Sequence, residues 1–308
     1  MVNHSLDVVR KALDLYTPLG LAVSFNGGKD ACTVLFLLMT VLAERGQLGL
    51  LCGPGGDEGK MLVICFDRDE FAAVQEFTQK VAERYGLTLR HYKATYRDGM
   101  EDLVQNHGTK AVLMGQRYGD PWTDGMDDFT PSTPGWPEFV RLNPILRWPY
   151  DYVWRFLRRC RLPYCHLYDE GYTSLGEAVL TIKNPALRRP DGTYIPAYEL
   201  HDPALERSNR SPRVNGGPKT PAFPEGVLPP PGVGEGGAGP LVTADGAGAP
   251  ALNSATSLSP VPSEPKGLAA AGGQLPGGVV GQWRRVLPAV VVALAVVGAV
   301  QLKVFKRP

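Results

Sequence analysis

An excess of charge of one sign, paired cysteines and an N-terminal hydrophobic run are all lacking in this 308-residue chain. Each absence excludes a class. Lys and Arg number 32 against 31 Asp and Glu, and residues 1–210 hold 24 basic and 27 acidic groups. That region therefore has no bulk positive field to hold a nucleic acid by its phosphates. The five cysteines, Cys32, Cys52, Cys65, Cys160 and Cys165, are odd in number and form no C-x-x-C pair. Such spacing argues against a disulfide framework and a structural zinc site, and fits a reducing compartment. The opening Met-Val-Asn-His-Ser-Leu-Asp has no basic segment followed by an apolar run, so it is not a secretory signal. Nor is it Arg-rich and poor in acids, as a transit peptide is. No internal repeat is visible, G-x-x-x-x-G-K-[ST] does not occur, and the Gly27-Gly28 turn after the first strand is not a G-x-G-x-x-G fingerprint.

What is present is unevenly distributed. Of the 72 residues in 211–282, 29 are Gly or Pro, above the roughly 25–30% at which a non-periodic chain reads as disordered. With one aromatic, Phe223, and seven charges, that stretch cannot bury enough apolar area to offset its chain entropy. We therefore expect a globular domain over 1–210, a disordered Gly/Pro-rich linker over 211–282 and a basic, apolar segment over 283–308.

Within 1–210 the periodicity alternates. Residues 5–16 place Leu6, Val9, Leu13 and Tyr16 on one helical face, with Ser5 as N-cap. Leu21–Phe25 is a short apolar run, and 31–44 is helical and apolar nearly all round. Met61–Phe66 reads as a buried strand, 69–85 as an amphipathic helix, 87–92 as a strand, 98–106 as a helix and 111–115 as a strand. The segment 116–148 shows little periodicity and reads as a long functional loop. A helix over about 150–159 follows. This alternation predicts an α/β fold with an open, mostly parallel sheet and helices on both faces.

The sharpest motif joins the first strand to the next helix: Ser24-Phe25-Asn26-Gly27-Gly28-Lys29-Asp30. Two glycines let backbone approach a polyphosphate, and the helix beyond offers unpaired N–H groups and the positive end of its dipole. The fourth strand leads into Gly115-Gln116-Arg117-Tyr118-Gly119-Asp120-Pro121. In such a sheet, ligands bind at the carboxyl ends of the strands, which puts Arg117 and Asp120 on the same crevice as Gly27. Arg117 offers a planar fork for phosphate. Asp120 can accept from a heterocyclic N–H or hold Mg2+. Further blocks are Pro134-Gly-Trp-Pro137, Phe139–Trp148 with Arg141, Tyr168–Gly176, Asn184–Leu187 and Glu206-Arg207-Ser-Asn-Arg210. Arg207 and Arg210, three apart, can share one helical face.

The Gly-Gly loop resembles the pyrophosphate loop of the adenine nucleotide α-hydrolase group. The Asn variant, together with the later blocks in the same order, is similar to the eukaryotic FAD synthetases, whose fold is PAPS reductase-like. Ala31 stands where those enzymes usually carry Cys or Ser. The resemblance covers about residues 5–210 and implies an FMN adenylyltransferase, with FMN and MgATP giving FAD and pyrophosphate. It implies triphosphate contacts from Ser24, Asn26, Gly27, Gly28 and Arg210, a catalytic set of Asn26, Asp30, Arg117 and Arg207, and flavin contacts from Arg117, Asp120 and Arg141. Asp30 orients the loop or ligates Mg2+. Lys29 meets a phosphate or points to solvent. The rivals are a sulfonucleotide reductase on the same fold and an inactive, membrane-anchored nucleotide-binding protein. The first needs a nucleophilic Cys near the C-terminus, yet the last cysteine is Cys165.

At the far end, Trp283-Arg284-Arg285 precedes an uncharged run from Val286 to Leu302, and Lys303, Lys306 and Arg307 follow. The run meets the length of one membrane span. It is expected to be a transmembrane tail anchor that leaves the catalytic domain in the cytosol. Short Val/Ala-rich anchors with basic ends suit an organelle outer membrane.

Overall fold

The computed structural model describes residues 1–53, 58–67 and 69–210. The linker and tail anchor expected from the sequence lie outside these residues. Among the described residues, no helix is long and apolar enough to cross a membrane.

Helix α1 (Val2–Leu15) precedes strand β1 (Leu21–Ser24), α2 (Lys29–Glu44), β2 (Leu62–Phe66), α3 (Ala72–Tyr85), β3 (Leu89–Tyr92), α4 (Tyr96–Gln105), β4 (Ala111–Leu113), β5 (Phe129–Pro131), β6 (Val140–Leu142) and α5 (Tyr150–Arg159). The sheet order is β3-β2-β1-β4-β6-β5. Every pairing is parallel except β5 with β6. A fold of parallel strands linked by helices must cover both faces, and the alternation of side chains does so here. Val23, Val63 and Leu113 pack in the larger cluster with α1, α2, α3 and α5. Ala22, Ile64 and Val112 point the other way, onto Met100 and Leu103 of α4.

Three expectations need correction. Ser5 does not cap α1, which starts at Val2; its hydroxyl lies inside the first turn and accepts from Trp148 Nε1 at 2.9 Å. The third helix begins at Ala72 rather than at 69, because Glu70 bridges to Glu177 instead. The segment 116–148 contains two strands, β5 and β6. At three residues each they are too short to show a period, and β4 supplies the pairing that orders β6.

The expected helix over 150–159 is present and carries the aromatic core. Trp154 is ringed by Tyr150, Tyr164, Tyr168 and Tyr198, all at steep edge-to-face angles, the geometry that ring quadrupoles favour. This cluster brings Tyr168 up to the start of α2.

Candidate active site

Strand β1 ends against a sharp turn. Gly27 has φ +75°, and a Cβ there would lie 3.2 Å from Val74, so both the backbone and its neighbour call for glycine. Gly28 then caps α2. Its N–H donates to Asn26 Oδ1 at 3.1 Å, and the Lys29 N–H donates to the Tyr168 hydroxyl at 3.0 Å. Two of the free amides at the helix start are thus held by side-chain oxygens, as the ends of helices require. Asn26 is exposed, so its bond is open to exchange with a phosphate oxygen. At the neighbouring strand end, a Cβ on Gly115 would meet the backbone of Asp30 and Ala31 at 2.7 Å. Glycine there lets β4 lie directly against the first turn of α2, which places Arg117 beside Asp30.

The result is a closed cluster of four charges. Lys29 Nζ is 2.8 Å from Asp30 Oδ2 and 2.5 Å from Glu206 Oε1. Arg117 Nη2 donates to both Glu206 oxygens at 2.6 Å. Its Nε is 2.8 Å from Asp30 Oδ1, an ion pair whose angle falls short of a hydrogen bond. Lys29 and Arg117 are only 2% and 4% exposed, so neither is a solvated surface charge. Burial works against the Lys29 charge, but Asp30 and Glu206 outweigh it and hold its pKa above the ordinary lysine value. Burial opposes the Arg117 charge too, and Asp30 and Glu206 more than restore it. For Asp30, burial pushes upward, while Arg117 and then Lys29 hold its carboxyl below the usual range. Asp120 goes the other way: burial and then the nearby Asp30 charge raise it. Its Oδ2 accepts from the Arg117 backbone N–H at 2.9 Å, which fixes the turn after β4.

These groups wall a cleft of about 500 Å3 at the carboxyl ends of β1, β2 and β4. Ser24, Asn26, Gly28, Lys29, Asp30, Asp120, Arg207 and Arg210 all line it. Arg117 meets it through Asp30 and Glu206. Arg207 is exposed and Arg210 half-buried; a turn closed by Arg210 N–H on Arg207 O at 3.0 Å carries them, not the shared helical face expected. The Arg210 guanidinium lies directly on Gly176, where a Cβ would stand 2.2 Å from it.

Two site residues sit otherwise than expected. Lys29 does not point to solvent, because the two carboxylates that flank it pull it into the cluster. Arg141 does not line the cleft. It lies in β6 opposite Val112 and Thr130, and its Nη2 donates to Pro131 O at 2.6 Å while Nε and Nη1 have no hydrogen-bond partner.

Sequence reasoning missed Glu206, Tyr168 and Gln116. Glu206 is the first letter of the E-R-x-x-R block, in which the two arginines carry the phosphate signal and the glutamate carries none. Gln116 lines the cleft at 7% exposure, and neither side-chain polar atom has a hydrogen-bond partner.

The family model for the phosphoadenosine phosphosulfate reductase domain matches residues 98–183. The chain is 38% identical over 216 residues to a probable FAD synthase of Schizosaccharomyces pombe, covering 68% of this chain and 78% of that protein. It is 35% identical over 226 residues to a probable FAD synthase of Caenorhabditis elegans, of which it spans 40%. In structure it is similar to Candida glabrata FMN adenylyltransferase in complex with FAD and inorganic pyrophosphate. The TM-score is 0.61 at 25% identity, over 69% of this chain and 87% of that one.

Proposed function

This chain belongs to the FAD synthase family, and from that premise we propose that it transfers the adenylyl group of ATP to FMN, giving FAD and pyrophosphate. The observation that carries the reading is the gathering of the Asn26–Asp30 turn, Asp120, Arg207 and Arg210 on one cleft, with Arg117 behind it. In the reaction, a phosphate oxygen of FMN bonds to the α-phosphorus as the bond to pyrophosphate breaks. FMN phosphate is already an anion at neutral pH, so no general base is required. What remains is to hold two anions in line and offset their charge.

The start of α2 and Asn26 suit the triphosphate, and Arg207 and Arg210 flank it as cations. Arg117 and Asp120 border the flavin side. Arg141 is buried away from the cleft, with its Nε and Nη1 unpartnered. Asp30 and Asp120 fit Mg2+: both line the cleft, and carboxylate oxygens are what that ion takes beside phosphates. When bound, Mg2+ would neutralise charge on the phosphate oxygens. The absence of any Cys after Cys165 speaks against sulfonucleotide reduction on the same fold. For the C-terminal run Val286–Leu302, its length and cationic flanks support a membrane anchor with the catalytic domain on the cytosolic side.

Chromatography of the purified chain incubated with FMN, ATP and Mg2+ tests the activity. FAD and pyrophosphate appear together, and both are lost in Asp30→Asn and reduced in Arg207→Ala, an exposed position that leaves the fold intact. A folded chain that binds ATP and makes no FAD refutes the reading.

A further inference from the structure

Cys65 lies in β2 on the alternation that carries Val63, and Asp67 follows two residues on, just past the strand's end. In the parallel register of β2 and β3, Cys65 lies opposite His91, and register partners share a face. Strand geometry alone therefore gathers a thiol, an imidazole and a carboxylate. One ligand atom from each lies within 4.8 Å of the other two, and His91 Nδ1 is 2.6 Å from Asp67 Oδ1. Cys65 is 3% exposed, whereas the side chains of His91 and Asp67 are 46% and 30% exposed. The sulfur is sheltered, and the site opens to solvent on its imidazole and carboxylate side. Burial, then Glu70 and Asp67, push the thiol up to about 12.

We propose that Cys65, Asp67 and His91 form a binding site for a zinc-class divalent cation, with water as the fourth ligand. One thiolate, one imidazole and one carboxylate suit tetrahedral Zn2+ and not Mg2+, which takes oxygen ligands in an octahedron. Metal–ligand bonds of about 2.0–2.3 Å place tetrahedral ligand atoms roughly 3.5 Å apart, so the widest separation need close by only about an ångström and the His91–Asp67 pair, now 2.6 Å apart, opens by about as much. Binding forms a sulfur–metal bond as the thiol proton passes to solvent. Sequence spacing argued against a zinc site because no C-x-x-C pair exists; sheet register supplies ligands that spacing does not. Phe66, between two of the ligands, and Glu70 line the catalytic cleft. An ion here braces one wall of that cleft and leaves the phosphate loop untouched.

Cobalt(II), titrated into the chelator-treated full-length chain, is the probe. One equivalent produces thiolate-to-cobalt charge-transfer absorption and intense tetrahedral d–d bands, and added Zn2+ abolishes both. Cys65→Ser removes the charge-transfer band. His91→Ala, at an exposed position that does not threaten folding, weakens binding at least about tenfold, since even outer-shell partners of ligands carry that much. Cys52→Ser, at a buried cysteine elsewhere, leaves the spectrum unchanged. A chain without the band, or one whose band survives Cys65→Ser or keeps full affinity in His91→Ala, overturns the proposal.

Discussion

Glu206→Gln keeps the size of the side chain and removes one negative charge from a cluster that is otherwise balanced, two cations against two carboxylates. In the ligand-free chain the Glu206 carboxylate holds Lys29 at 2.5 Å and Arg117 at 2.6 Å. At an effective dielectric near 20, each contact is worth roughly 5 kcal/mol of gross attraction, most of it offset by desolvation. Removing one partner of a buried pair costs about 3–5 kcal/mol because the other charge is left uncompensated. The Glu206 side chain retains 12% exposure, so we take the low end, about 3 kcal/mol. For a domain of this size that lowers Tm by roughly 6–12 °C. A triphosphate reverses the order of effects. In the wild type it competes with Glu206 for Lys29 and Arg117; in the variant it supplies the missing anion. Differential scanning fluorimetry with and without saturating ATP reads both terms, and the upward shift with ATP is larger in Glu206→Gln than in the wild type. An unchanged ligand-free Tm refutes the charge accounting. Equal ATP shifts in both proteins show that the phosphates do not take over these two cations.

Two further outcomes follow from the same geometry. Asp120 has its pKa raised in the fold, so its contribution to stability is fully present below its unfolded pKa and is lost as pH rises through the folded one. Asp120→Asn keeps an acceptor for the Arg117 N–H and has no such loss; its Tm advantage over the wild type grows as pH rises above roughly 4 and vanishes below. Gln116→Leu removes two unpartnered buried polar atoms and stabilises the ligand-free chain by about 1–2 kcal/mol in a urea titration. In the FAD assay the same variant raises KM more than it lowers kcat.

Strands β1, β2 and β4 were readable as apolar runs because strands buried on both faces leave no polar alternation to confuse them. Strands β5 and β6 were not, since three residues hold no period and only pairing with β4 defines them. The phosphate turn was equally readable, because Gly27, Gly28 and the α2 start act through local backbone. Glu206 was not. It is 177 residues from Lys29 and 89 from Arg117, and nothing in its own neighbourhood tells which cations it will meet.

Short-range chemistry therefore decides the α/β alternation, the phosphate-type turn, the cations at the ends of strand and domain, and the division of the chain by composition. Which of those charges neutralise one another depends on the folded chain. Arg117 reaches Asp30 because glycine at 115 lets two backbones touch. Cys65 meets His91 because β2 pairs with β3 in one register and no other. Coulomb energies and metal geometry depend on separations in space, and separation along the chain does not supply them.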